Sequence, residues 1–171
     1  MASALQIDVT VSCPAWIEAV PGVEEVCRDA ARAACAANGD GPVVPVAGAE
    51  ASLVLADDEF VRALNRDYRN LDEATNVLAF ASAGDNGDDG APGAPRILGD
   101  VVVAYETAAT EAAAEAKSLA DHLCHLVVHG MLHLLGYDHQ TASEADRMER
   151  LEVLVLCGLG VASPYEDRAE Q

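Results

Sequence analysis

Apolar residues recur along the chain in short stretches whose spacing and composition predict β-strands. From Leu5 to Val11 every second residue is apolar, which is typical of a half-buried strand. Ala51 to Ala56, Thr75 to Phe80 and Ile97 to Ala104 are compact apolar runs bounded by polar segments. A proline-interrupted segment, Val43 to Ala47, is typical of an edge strand, because proline cannot donate a hydrogen bond within a sheet.

Helical patterns lie between these stretches and after them. Asp57 is placed as the N-cap of a helix over residues 58–69, and Asp121 as the N-cap of a later apolar helix. Further helices are predicted from Pro21 to Asn38, from Thr107 onward, and from Ser143 to Cys157. This mixture predicts an α+β fold, a single small domain with a mixed sheet backed by helices on one or both faces.

The stretch from His129 to His139 carries the candidate chemistry. On a helix, His129 and His133 are four residues apart, so their rings project from one face and can reach one metal ion. Gly136 can adopt the positive φ that ends a helix, and His139 follows this turn, where it can offer a third nitrogen. Three imidazoles leave the fourth tetrahedral position open, as in catalytic zinc sites. The spacing therefore predicts a central metal-bearing helix with one zinc ion per chain.

An alternative is that His129 and His133 are ordinary core histidines. Apolar residues surround them on the helix: Leu126, Val127, Val128, Met131, Leu132, Leu134 and Leu135. The further match of Gly136 and His139 favours the metal site. Helical zinc peptidases place a general-base Glu directly after the first His, and this position is Gly130 here. The motif argues against peptide hydrolysis but not against hydrolysis, since zinc alone lowers the pKa of a bound water to about 7.

Length and composition are those of one folded domain. A chain of 171 residues that is 51% hydrophobic is long enough to bury a core of its own. We expect this metal-dependent hydrolase domain to span residues 1–162 and a polar tail to follow over 163–171. The range 81–96 is rich in Gly, Asp and Pro and predicts a mobile acidic loop. No uninterrupted apolar run is long enough for a membrane span.

Charge and cysteine content bear on the environment of the protein. The formal net charge is −19, which repels nucleic acid at long range. The five cysteines are scattered and form no Cys-x-x-Cys pair, and no secretory signal is visible at the N-terminus. Together these features predict buried, reduced thiols in a cytoplasmic protein.

The helix predicted over residues 58–69 has one apolar side and one basic side. Arg62, Arg66 and Arg69 lie within about 60° of each other on the basic side. This stripe is either a solvated face, with Asp58 paired to Arg62, or a basic surface for phosphate groups. Arg69 can either complement the end of its helix or meet the charge that builds on a phosphoryl group.

Three segments give the chain a resemblance to a known family. The histidine stretch, the pair Leu64 to Arg69 with Thr75 to Phe80, and Leu98 to Val101 resemble the motifs of the YbeY family of bacterial ribosomal RNA maturation endoribonucleases. The resemblance covers the middle half of the chain. The family usually has Ser where Ala79 stands and Pro where Ala81 stands, and its acidic loop is shorter.

The resemblance implies roles for four residues. His129, His133 and His139 correspond to the zinc ligands, so that His129 is also needed for catalysis, and Arg69 corresponds to an arginine associated with RNA cleavage. The implied activity is that of a zinc-dependent, single-strand-specific endoribonuclease in small-subunit rRNA end processing and ribosome quality control. The implied partners are single-stranded rRNA, the ribosomal small subunit and ribosome-assembly proteins, with no membrane. The implied fold is a small α+β domain with a sheet backed by helices.

Two other functions stay open from the sequence. The chain could be a metallohydrolase of another substrate class, or a non-catalytic ribosome-assembly factor whose zinc only holds the fold together. A metal with four protein ligands would favour the latter. Asp138 and Asp100 each fit either a role in orienting a ligand ring or a role in a turn. His125 is expected in the cleft or core, and His122 at the surface.

Overall fold

The computed structural model describes residues 5–37, 46–82 and 96–162. Its strands are β1 (Gln6–Val11), β2 (Ala49–Ala56), β3 (Val77–Ala81) and β4 (Arg96–Ala104). Its helices are α1 (Ala15–Ala19), α2 (Val23–Ala36), α3 (Asp58–Arg69), α4 (Tyr105–Ala114), α5 (Leu119–Leu134) and α6 (Ala142–Gly158). The predicted α+β class is confirmed.

The strands form one mixed sheet in the order β1-β2-β4-β3. β1 and β4 both run parallel to β2, with Val9 and Val101 on either side of Leu53. β3 is antiparallel to β4 and places Ala79 opposite Val101. Within the described part of the chain β3 therefore lies at one edge of the sheet, with its outer side not covered by another strand.

Helices cover both faces of the sheet. Successive strand residues point to opposite faces, so one strand can contribute apolar side chains to both layers. Leu53, Leu55, Val101 and Val103 face the larger apolar cluster, which also includes the inner sides of α2 and α5. On the other face, Leu78 and Val102 pack with Val61 of α3 in a smaller cluster. Of the two arrangements open from the sequence, the structure has the one with two helical layers.

Helix α5 lies in the middle of the larger layer and packs against α2, α4, α6, β3 and β4. Its N-cap is Ser118, whose hydroxyl accepts a hydrogen bond of 3.1 Å from the Asp121 backbone N–H. The prediction of Asp121 as the cap is thus wrong by three residues. Asp121 lies in the first turn, where its carboxylate complements the positive end of the helix dipole.

Other boundaries differ from the predictions by a few residues. α3 begins and ends as predicted, and Asp57 caps it by accepting from the Phe60 N–H at 2.8 Å. The capping box of α6 is Thr141 with Glu144, two residues before the predicted pair that starts at Ser143. Helix α1 was not predicted, because five residues are too few for a periodic pattern.

Several predictions fall wholly or partly outside the described residues. These are residue 38 of the first long helix, residues 43–45 of the predicted edge strand, residues 83–95 of the acidic loop, and the tail over 163–171. The first long helix itself runs from Val23 to Ala36, within its predicted bounds of Pro21 and Asn38 and shorter at both ends. Val46 and Ala47, the described remainder of the predicted edge strand, are not in a strand.

The described cysteines carry free thiols. Cys27 is buried, but Cys157 is exposed near the end of α6, so the expectation of burial is wrong for that residue. None of the described helices has both the length and the apolar character needed to cross a bilayer.

Candidate metal centre

Three histidines meet beside the C-terminal end of α5. His129 and His133 lie one turn apart on the helix, and His139 lies in the segment that follows it. One ring nitrogen from each lies within 4.8 Å of the other two, and the Nε2 atoms of His129 and His133 are 3.1 Å apart. Ligand nitrogens of a tetrahedral zinc ion, with Zn–N bonds of about 2.0–2.1 Å, are about 3.3 Å apart. The donor set and spacing therefore fit a single zinc ion.

The turn that brings in His139 is a Schellman motif. The Tyr137 N–H donates to the Leu132 carbonyl, and the Gly136 N–H donates to the His133 carbonyl, each at 3.0 Å. Gly136 has φ 99°, a conformation that is strained for residues with a side chain. The chain reverses at this glycine, so His139 comes back alongside the last turn of the helix.

Gly130 has a packing role that the sequence did not reveal. A Cβ atom at this position would lie 2.6 Å from Cγ1 and 3.1 Å from Cγ2 of Val101 on β4. Any side chain here would push α5 away from the sheet. The position that carries the general-base Glu of helical zinc peptidases is therefore closed to a Glu by the contact of α5 with β4.

The histidines line a cleft with a volume of about 670 Å³. The lining also includes Val77, Ala79 and Ala81 of the edge strand β3, together with Asn76 and Arg69. Ala79 and Ala81 are the two positions at which the chain departs from the usual Ser and Pro of the family it resembles. The departures therefore lie in the cleft wall and not among the histidines.

Arg69 reaches this cleft around the edge of the sheet. Its Nη2 donates to the Ala79 carbonyl at 3.2 Å, and its Cζ lies 5.6 Å from the centre of the Phe80 ring. The helix itself ends at Asn70, which has φ 57°. The structure thus places Arg69 in the lining of the cleft that the histidines also line, and its contacts are with β3.

The other two arginines of the predicted stripe lie elsewhere. Arg62 donates through Nε and Nη2 to both carboxylate oxygens of Asp72, at 2.8 and 3.2 Å, and this pairing lowers the pKa of Asp72. Arg66 is exposed and contacts the neighbouring Asp67. The expected pairing of Arg62 with Asp58 is wrong, because Asp58 accepts hydrogen bonds from Thr107 at the start of α4.

The remaining histidines of α5 lie on its inner side. His122 is only 3% exposed, and its Nε2 is 3.1 Å from Oε1 of Glu111 on α4. The prediction of a surface position is wrong, because α4 packs over that side of α5. His125 lines the cleft, as expected, and its Nε2 is 3.1 Å from Oε2 of Glu152.

Sequence reasoning missed Glu152 altogether. This glutamate of α6 is fully buried, and its Oε1 lies 2.5 Å from Nδ1 of His129. The signal was present in the sequence, because Glu152 interrupts the apolar stripe of α6, which consists of Met148, Leu151, Val155 and Leu156. A charged residue in such a stripe needs a buried partner.

The surroundings of His133 favour its neutral imidazole. Burial lowers the pKa of His133, the adjacent His129 and His139 lower it further, and Asp138 opposes this shift. A metal ligand must be unprotonated, so the shift is in the direction that ion binding requires.

Asp138 also accepts a hydrogen bond of 2.8 Å from the His139 N–H, which is a role in the turn. Asp100 pairs with Phe80, one residue out of phase with Val101, and so points to the other face of the sheet.

Comparison with known proteins places this geometry in a family. The model of the Endoribonuclease YbeY family matches residues 23–160. A protein named Endoribonuclease YbeY from Paramagnetospirillum magneticum is 49% identical over 168 residues, which is 98% of this chain and 100% of the relative. A protein of the same name from Azorhizobium caulinodans is 48% identical over 97% of this chain and 99% of the relative.

A solved structure shows the same fold. The solution structure of TM1509 from Thermotoga maritima matches with a TM-score of 0.51 and 17% identity over 90% of this chain and 91% of that one. At this identity the likeness concerns the fold alone. The family model and the two relatives, by contrast, match over most of their lengths and include all three clustered histidines within the matched range. The chain therefore belongs to the Endoribonuclease YbeY family.

Proposed function

We propose that this protein is a zinc-dependent endoribonuclease that cleaves single-stranded RNA in the maturation of small-subunit rRNA ends. The observation that carries the proposal is the convergence of three imidazole nitrogens in a cleft that Arg69 also lines. The names of the relatives support RNA cleavage. The proposed hydrolase domain spans residues 1–162 and acts in the cytoplasm, with rRNA, the small subunit and ribosome-assembly proteins as partners in maturation and quality control.

His129, His133 and His139 would hold one zinc ion per chain. Zinc in such a site supplies a Lewis acid with a coordination position open to water or to a phosphoryl oxygen. In the described residues the cluster has three ligating side chains, which favours an open site over a closed structural one. His129 is thus a ligand on which catalysis depends.

Arg69 supplies positive charge to the same cleft. Cleavage of a phosphodiester builds negative charge at phosphorus, whether water or the RNA 2′-hydroxyl attacks. A guanidinium has five N–H donors, so Arg69 can remain anchored on the Ala79 carbonyl and still donate to phosphoryl oxygens. Because this contact strengthens as charge develops, it affects turnover more than binding.

The cleft supports a preference for single strands. Its volume of about 670 Å³ is in the range of sites for small ligands, so it accommodates a few nucleotides of one strand. A net charge of −19 provides no long-range attraction for phosphates, so affinity has to come from contacts made inside the cleft. An extended strand laid along β3 would run through the cleft that Arg69 and the histidines line.

The alternatives are less well supported. A zinc ion that only holds the fold would be expected in a domain with little core of its own. Here an apolar cluster that joins β1, β2 and β4 to α2, α5 and α6 supplies a core of ordinary extent. Hydrolysis of peptides is disfavoured because the contact with Val101 excludes a general-base Glu at Gly130.

Metal content and cleavage of matched oligonucleotides test the proposal. We expect about one zinc per wild-type chain by elemental analysis and far less in His133→Ala. We also expect wild-type protein to cut a labelled single-stranded RNA but neither its duplex nor the DNA of the same sequence. Chelation should abolish the cleavage and added zinc restore it. Equal zinc in both proteins, or cleavage that survives chelation, would contradict the proposal.

A further inference from the structure

The buried carboxylate of Glu152 stands out among the polar groups of the core. It occupies the centre of the apolar stripe of α6, between Leu151 and Val155, and it is fully buried. Burial of an ionised carboxylate costs several kcal/mol unless hydrogen bonds replace the lost water. Two of the hydrogen-bond partners of Glu152, His125 and His129, lie on α5.

The two oxygens of Glu152 divide between two histidines one turn apart. Oε1 lies 2.5 Å from Nδ1 of His129, and Oε2 lies 3.1 Å from Nε2 of His125. An ionised carboxylate has only acceptors, so each of these ring nitrogens donates an N–H to it. His125 therefore holds one end of the carboxylate while the other end engages His129.

This arrangement decides which nitrogen of His129 faces the candidate metal centre. With the proton on Nδ1, the lone pair is on Nε2, and Nε2 is the atom that lies 3.1 Å from Nε2 of His133. A carboxylate on the far side of a ligating imidazole fixes the tautomer and ring orientation and raises the basicity of the ligand. His129 is the only member of the described His129–His133–His139 cluster for which a carboxylate contact to a ring nitrogen is seen.

We propose that Glu152 is a positioning residue that holds His129 as the Nδ1–H tautomer, with Nε2 directed at the metal, and that His125 anchors Glu152 for this purpose. The inference rests on the proposed function for the identity of the ion. The orientation of His129 itself does not depend on that function. Helix α6 thereby contributes to the metal centre without supplying a ligand.

Glu152→Gln is the informative substitution, because it keeps the size of the side chain. An amide has one oxygen and one N–H₂ group, so it can accept from only one of the two rings. Either His129 or His125 must then take the other tautomer or lose its partner. Glu149→Gln is a matched control on the same helix, since Glu149 is partly exposed and lines a separate groove.

Two measurements on purified protein test the proposal. In metal-free wild type at alkaline pH, long-range ¹H–¹⁵N spectra should show His129 as the Nδ1–H tautomer, and Glu152→Gln should show a mixture. Competition with a chromophoric chelator should show zinc bound about 10- to 100-fold more weakly by Glu152→Gln, and unchanged by Glu149→Gln. Circular dichroism and thermal unfolding of the metal-free variants show whether the fold is retained.

The possible failures are distinguishable. An Nε2–H tautomer at His129 in wild type would overturn the inference, and so would equal zinc affinity in wild type and a folded Glu152→Gln. If Glu152→Gln does not fold, the wild-type tautomer still decides. If wild type binds no zinc while His129 is the Nδ1–H tautomer, the proposed function fails and the positioning role of Glu152 stands.

Discussion

Replacement of Gly130 by Ala tests the contact that holds α5 against the sheet. The added Cβ would lie 2.6 Å from Cγ1 of Val101, well inside van der Waals distance. Val101 cannot easily move aside, because it is fully buried, it lies in β4 between β2 and β3, and its branched side chain is restricted in χ1. The helix has to shift outward instead.

The expected effect is a balance of two opposite contributions. Overpacking of a core by one methyl group costs about 1–3 kcal/mol. Alanine is favoured over glycine inside a helix by about 1 kcal/mol. The net result should be a loss of about 1 kcal/mol, equivalent to a fall in Tm of about 2–4 °C for a domain of this size. Zinc binding should weaken as well, because the displaced turn carries His129.

The assay is thermal and urea unfolding of metal-free protein, followed by circular dichroism, with zinc affinity measured in parallel. Gly158→Ala is the control, since a Cβ at the end of α6 has no neighbour within 4 Å and should leave stability equal or slightly higher. Val101→Ala combined with Gly130→Ala should be more stable than the sum of the single changes predicts, by about 1 kcal/mol. A Gly130→Ala protein as stable as Gly158→Ala, or an additive double variant, would refute the packing argument.

Three further predictions follow from the site and the thiols. Arg69→Ala should lower the single-turnover rate of RNA cleavage by about 100-fold with little change in binding. Arg62→Ala is the control and should change neither quantity, because its guanidinium is paired outside the cleft. Equal cleavage rates in the two variants would contradict this prediction. His133→Ala should lose zinc and cleavage but keep its circular dichroism spectrum; an unfolded variant would favour a structural metal. Burial raises the pKa of Cys27 to about 12, so this thiol should stay unreactive towards a disulfide reagent from pH 7 to about 9. The exposed Cys157 should react at once under the same conditions. Fast labelling of Cys27 in peptide maps would refute its burial.

The three histidines of the site could be predicted from their spacing along the chain alone. The i, i+4 pair and the glycine two residues after the helix depend only on helical geometry and on a Schellman turn. Both are properties of about eleven consecutive residues, so His129, His133 and His139 could be nominated without a fold. The structure then brings their ring nitrogens within 4.8 Å of one another.

The elements were predictable for the same reason. The range 58–69 with its Asp57 cap, and the four strand segments, are short stretches whose own apolar pattern reflects how they are buried. Errors arose at the starts of helices, as with Asp121 and Ser143. Polar residues that can act as N-caps occur at several positions within one turn of a helix start, so the sequence does not show which of them is the cap.

Contacts between elements could not be read from the sequence. Glu152 reaches His129 across 23 positions, and His122 meets Glu111 only because α4 packs over α5. The three arginines share one side of α3, but their partners differ. Arg69 donates to the Ala79 carbonyl of β3 and lines the cleft, whereas Arg62 pairs with Asp72 outside it.

The sequence by itself determined most of the helices and strands and the spacing of the three clustered histidines, because these depend on patterns within a few turns. Only the tertiary structure decided the strand order, the closure of the Gly130 position by Val101, and the partners of each charged group. The physical reason is that an apolar residue type indicates burial but does not specify which element of the fold covers it. The covering element is selected by the packing of the whole chain.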